Sequence, residues 1–150
     1  MLGKLSRYLR ILGFSVQYES DGIDDNRIIG ICREHSYILI TRDRLLSEKY
    51  KPSVLIHSTD TMNQIKEFTS IYPPDRSLAF TRCTSCNGIL LSVKLDENDY
   101  RSKLNPHICD SCGKLYWSGT HTAKIRETLE KIGVWNEDQG RGKRLEDTED

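Results

Sequence analysis

Residues 37–46, Tyr37-Ile38-Leu39-Ile40-Thr41-Arg42-Asp43-Arg44-Leu45-Leu46 (YILITRDRLL), decide the fold. The first five are aromatic, apolar or β-branched, which is the composition of a short strand of the buried, parallel-sheet kind. Three consecutive charges, Arg42, Asp43 and Arg44, stop the run, and Leu45-Leu46 resume the apolar pattern. A carboxylate at the carboxyl end of a buried parallel strand stands where open α/β sheets place their ligands. The same carboxylate is equally suited to capping the short helix that follows. Both readings of Asp43 are open on local grounds.

Upstream, apolar residues at positions 1, 2, 5, 8, 9 and 12 have helical spacing, with Lys4, Ser6, Arg7 and Arg10 mostly on the other face. Gly13 supplies a stop. Phe14-Ser15-Val16-Gln17-Tyr18 alternates and predicts a strand. Asp24 or Asp25 then caps a helix that packs Ile28, Ile29, Ile31 and Cys32 inward. Downstream, a short helix runs to about Lys49, Ser53–His57 predicts a strand, and Thr61–Ser70 predicts a helix. Alternating helices and strands predict α/β architecture with a mainly parallel sheet. Tyr72-Pro73-Pro74-Asp75 breaks the chain and marks the end of a first unit, residues 1–74.

From about Ser77 the character changes to short strands and turns, with a closing helix over His121–Ile132 that turns Ile125, Leu129 and Ile132 inward. This gives a second unit over residues 77–135. Residues 136–150 carry one apolar side chain of the aliphatic kind, Leu145, among many charges, and predict a disordered tail.

Composition narrows the function classes. The 22 basic and 22 acidic residues cancel, so bulk charge points to neither nucleic acid nor membrane, although a local patch remains open. No apolar run reaches the ~18 residues of a membrane span. The N-terminus, MLGKLSRYLRILGF, lacks a continuous signal-peptide core, so a cytoplasmic protein without a membrane partner is expected.

The strongest chemical signal is Cys83-x2-Cys86 followed, after 22 intervening residues, by Cys109-x2-Cys112. Two such knuckles bring four thiolates around one zinc in a closed, structural site. The competing reading is a redox dithiol. Gly88 and Gly113 each follow a knuckle, where a tight turn calls for glycine. A zinc ribbon stabilises a unit too small to fold on its apolar area alone, and such a unit can present basic and aromatic side chains to nucleic acid. Arg82, Lys114, Tyr116, Trp117, His121 and Lys124 are the candidates. Tyr116 and Trp117 face opposite ways on a strand, so one packs and the other is free to stack on a base.

Asp21 lies in the turn over Glu19–Gly22, Asp24 and Asp25 begin a helix, Asp43 ends a strand and Asp60 sits just past the end of the next strand. Strand ends on one edge of a parallel sheet converge, and carboxylates gathered there bind hard divalent cations. Such ions activate water for phosphoryl chemistry. Helix caps and solvated turns are the alternative. Lys4, Arg7, Arg10, Arg42 and Arg44 are cations suited to an anionic, phosphate-bearing substrate. Cys32 sits on an apolar helix face and reads as core.

Taken together, MLGKLSRYLRILGF, the Asp24-Asp25 pair, ILITRDRLL, RCxxCNGxL and CxxCGKLYWSGTH resemble the Mut-seven C-terminal ribonuclease family. The resemblance runs in order from Met1 to about Ile132. It implies a PIN-like nuclease domain fused to a C-terminal zinc ribbon. It further implies a metal-dependent endoribonuclease that uses magnesium or manganese on RNA, with acidic roles for Asp24 or Asp25 and Asp43, and for Asp60 on a weaker match. Lys4, Arg7, Arg42, Arg44, Trp117 and His121 are then the expected RNA contacts, and the alternative is a non-catalytic RNA- or ribosome-binding module. The family pattern has a strand ending in Asp-x just before Met-Leu-Gly-Lys. This sequence opens at that methionine, and a natural start further upstream is the expectation.

Overall fold

The computed structural model describes residues 2–19 and 22–135. Asp21 and the expected tail over 136–150 lie outside the described residues. Helix α1, Gly3–Ile11, buries Leu5 and Leu9 and leaves Lys4 and Arg7 exposed, as its apolar spacing requires. It ends at Gly13, whose φ of +97° and whose approach to Leu78 admit only glycine, since a Cβ there would lie 2.5 Å from the Leu78 carbonyl oxygen.

Helix α2, Asp25–His35, buries Ile29 and Cys32. Strand β1, Leu39–Thr41, follows, then helix α3, Arg44–Lys49, strand β2, Ser53–Leu55, and helix α4, Thr61–Ile71. β1 and β2 pair in parallel, with Leu39 opposite Ser53 and Thr41 opposite Leu55. The parallel sheet is thus two strands wide among the described residues. A groove of about 660 Å³ opens beside β1; Leu5, Phe14, Leu39 and Ile40 line its apolar floor, and Asp43 lies among its lining residues.

The strand expected over Phe14–Tyr18 is not present. The chain there joins no ladder. Its central backbone groups are satisfied by side chains instead: the Val16 amide donates to Asn87 Oδ1 at 3.0 Å, and Arg10 Nε donates to the Val16 carbonyl at 2.9 Å. Alternation of apolar and polar residues served to pack Phe14 and Val16 inward without a partner strand. Phe14 meets Phe68 edge to face at 5.2 Å.

The second half is built on a three-stranded antiparallel sheet, β3 (Leu90–Ser92), β4 (His107–Cys109) and β5 (Leu115–Tyr116), in that order, followed by helix α5, Thr120–Lys131. The apolar core does not stop at Pro73-Pro74. Leu129 of α5, fully buried, and Trp135 join Leu5, Leu9, Ile56, Ile65 and Phe68 in one cluster. A second cluster, Ile29, Cys32, Leu39, Leu46 and Tyr50, sits between α2, β1 and α3, which places Cys32 in the core as its helix face predicts. No helix of the described residues is long and apolar enough to cross a membrane.

Candidate metal centre and acidic strand ends

The four cysteine sulfurs converge. Cys83 Sγ lies 3.7 Å from Cys112 Sγ, Cys86 Sγ lies 3.4 Å from Cys109 Sγ, and all four fall within 4.8 Å of one another. A tetrahedron with Zn–S of about 2.3 Å has S–S edges of about 3.8 Å, so the donor set fits zinc in both chemistry and size. Cys83 and Cys109 are buried, while Cys86 and Cys112 are exposed. Each knuckle folds back on its own backbone: the Asn87 amide donates to the Cys83 carbonyl at 2.9 Å, and the Gly113 amide to the Cys109 carbonyl at 3.1 Å. Gly113 has a φ of +73°, the turn expected there. Gly88 is required for a different reason. A Cβ at that position would lie 2.6 Å from Cys109 Sγ, so a side chain would push into the sulfur cluster.

The thiols divide electrostatically. Burial pushes Cys83 up, but the Tyr116 hydroxyl and the amides of Cys86 and Ser85 outweigh it and bring the thiol down to about 6. Cys86 has the Gly88 amide pulling it down, yet its thiol neighbours, Cys109 foremost, push it up to about 12. Crowded sulfurs cannot all ionise without a cation among them. The Tyr116 hydroxyl lies 3.0 Å from Cys83 Sγ, and the Ser111 and Cys112 amides donate to Cys109 Sγ at 3.4 and 3.5 Å. These contacts orient ligands and spread their negative charge. Tyr116 is therefore the packed member of the aromatic pair. Trp117 is 38% exposed, with the Arg101 guanidinium 5.3 Å over its ring.

The acidic residues take a different arrangement. Asp43 follows β1 by two residues and caps α3, its Oδ1 accepting from the Leu46 amide at 3.1 Å. Asp60 follows β2 and caps α4 through the Asn63 amide at 3.0 Å. Asp24 caps α2 through the Asn26 amide at 3.2 Å. Asp25 lies in the first turn of α2 and pairs with Lys49 at 3.4 Å. Each cap contributes about 1 kcal/mol. Asp43 and Asp60 follow the carboxyl ends of adjacent parallel strands. Among the described residues, the cysteines form the only set of three or more ligand side chains gathered within 4.8 Å, so the four aspartates do not close into a protein-only cage.

A carboxylate the sequence reading passed over organises this edge. Glu67 of α4 accepts from the His57 and Ser58 amides, both at 2.8 Å, and its side chain also meets the His57 ring. These bonds, the His57 amide foremost, hold Glu67 below the usual carboxylate range. They fix the loop between β2 and Asp60. Its position, seven residues after an N-cap and facing back to a strand end, offers no local motif to find it by.

Of the cations, Lys4, Arg7 and Arg42 are exposed, Arg44 pairs with Glu48 at 3.0 Å, and His121 is exposed in the first turn of α5. Arg10 is not a phosphate contact. It is 6% exposed and donates to two backbone carbonyls, those of Val16 and Thr84. Burial pulls its guanidinium down, and the nearby sulfurs of Cys83 and Cys86 work against that pull. Lys114 is also engaged, at 3.0 Å from Ser85 Oγ and over the Tyr116 ring.

Fold and site together define a mixed α/β protein with a four-cysteine cluster able to hold a metal ion and aspartates at the ends of a small parallel sheet. The chain belongs to the Mut7-C RNAse domain family, whose profile matches residues 1–129. That span holds the aspartates and all four cysteines. No curated protein and no solved structure matches the chain.

Proposed function

We propose that this protein is an endoribonuclease of the cytoplasm that hydrolyses RNA phosphodiesters with a divalent cation, magnesium or manganese, while the zinc ribbon assists RNA binding. The observation that carries the reading is membership of an RNase family over residues 1–129. Asp25 and Asp43, with Asp24 and Asp60 as further carboxylates, would hold the cation. Magnesium is commonly held by one or two carboxylates with substrate phosphates and water completing the shell, so an open acidic edge suits it better than a closed cage. When bound, the cation supplies an activated water and neutralises charge on the phosphate.

The chain's own residues do the binding. Lys4 and Arg7 share an exposed face of α1, and Arg42 is exposed next to Asp43, so these three meet backbone phosphates. Arg44 shares its charge with Glu48. Trp117 offers an exposed aromatic surface to a base, and His121 stands exposed at the start of α5. The test is cleavage of labelled single-stranded RNA with and without magnesium, compared between this protein and Asp43→Asn. Magnesium-dependent cleavage that disappears in the variant supports the reading; equal cleavage by both proteins would sink it.

A second reading has a specific observation behind it. The four aspartates cap and pair without gathering, as they would in a non-catalytic RNA-binding module. That reading predicts salt-dependent RNA binding with no cleavage under any divalent metal.

A further inference from the structure

We propose that Arg10 and Asn87 couple zinc loading of the ribbon to the shape of the groove beside Asp43. The inference rests on the four cysteines holding zinc.

Residues 14–19 form one wall of that groove, whose lining also includes Arg42 and Asp43. The wall belongs to no sheet. Phe14 is anchored on Phe68, and Tyr18 lies beside Gly3. Between those anchors the backbone is held by two buried side chains, each 6% exposed. Arg10 Nε donates to the Val16 carbonyl and its Nη1 to the Thr84 carbonyl, both at 2.9 Å. Asn87 Oδ1 accepts from the Val16 amide at 3.0 Å, and its Nδ2 donates to Ser15 Oγ at 3.1 Å.

Thr84 and Asn87 are both part of the first cysteine knuckle. Asn87 closes it in a left-handed conformation, φ +68°, with its amide on the Cys83 carbonyl. The knuckle keeps this shape when a cation draws Cys83 and Cys86 together. Without one, nothing ties the sulfurs to one another and the short loop has little apolar area to hold it. Loss of the loop removes the Thr84 acceptor and swings Asn87 away. That leaves a buried guanidinium short of one partner and the Val16 amide with none, which is costly enough to loosen the wall. Metal loading of the ribbon then sets the width of the groove whose wall the knuckle holds.

Hydrogen exchange read by mass spectrometry tests this on the full chain, with zinc content measured alongside. In the zinc-loaded protein the peptide covering 14–19 is protected. After chelation it exchanges about tenfold faster or more, the loss of one to two buried hydrogen bonds, while the peptide covering Thr61–Ile71 is unchanged. Asn87→Gly suits the left-handed backbone and deletes only the amide. With zinc stoichiometry unchanged, it gives the same local loosening. Unchanged exchange of 14–19 in either arm overturns the coupling. If chelation also loosens Thr61–Ile71, the Asn87→Gly arm alone decides. A purified protein that binds no zinc overturns the metal reading, and this proposal with it.

Discussion

Asp43 Oδ1 accepts the Leu46 amide at 3.1 Å, so the residue proposed to hold the cation also starts α3. The Thr41 hydroxyl fixes it from the other side, accepting the Asp43 amide at 3.0 Å. The two roles separate by substitution. Asparagine caps a helix about as well as aspartate but carries no charge. Asp43→Asn is expected to melt within about 0.5 kcal/mol of the parent, and Asp43→Ala to lose about 1 kcal/mol. Cleavage is expected to be lost in both. Thermal melts beside the cleavage assay check the pair.

Zinc affinity is expected to fall as pH falls. Every ligand thiol must shed its proton before it binds. Cys83, at about 6, is already a thiolate at neutral pH, whereas Cys86, at about 12, holds its proton until metal displaces it. Acidification therefore opposes binding, and competition with a chromogenic chelator between pH 8 and 6 reads the slope. Tyr116→Phe removes the hydroxyl that lies 3.0 Å from Cys83 Sγ and is expected to weaken zinc about tenfold. An unchanged affinity would show that this contact leaves the metal untouched.

Glu67→Ala is expected to cost about 1–3 kcal/mol, because it orphans the His57 and Ser58 amides together. The sign with pH follows from the lowered carboxyl. Its contribution is present above the unfolded carboxyl value of 4.5 and is lost as pH falls through the lower folded value. Stability of parent and variant measured by urea unfolding is therefore expected to converge on acidification.

Leu129→Ala is expected to cost about 2–5 kcal/mol, since the side chain is fully buried in the cluster with Leu5 and Leu9. The cost falls on one shared core, so circular dichroism and tryptophan fluorescence are expected to report the same lowered transition. Two separate transitions, with only one displaced, would contradict a shared core.

Local chemistry made much of this protein legible. The apolar spacing of Met1–Leu12 marked α1, and the start and stop signals around Asp24, Asp60 and Lys49 marked three more helices within a few residues. The CxxC pairs announced a cluster of four sulfurs able to hold a metal ion, since a four-residue knuckle aims its two sulfurs the same way whatever surrounds it. Asp43 was visible as both cap and strand-end carboxylate because each role depends on its immediate neighbours. Phe14–Tyr18 failed as a strand because alternation specifies which side chains face inward and says nothing of what the backbone bonds to.

By itself, the sequence determined the alternation of helices and strands, the cysteine tetrad and the family, all carried by residues close together in the chain. Only the tertiary structure decided three things. It placed Arg10, a surface cation by its helix spacing, in the interior between Val16 and Thr84. It gave Asn87 a partner 71 residues away. It joined Leu129 to the core of the first half across the proline break. Each is a contact between segments remote in sequence, where burial and hydrogen-bond satisfaction, and not local propensity, set the outcome.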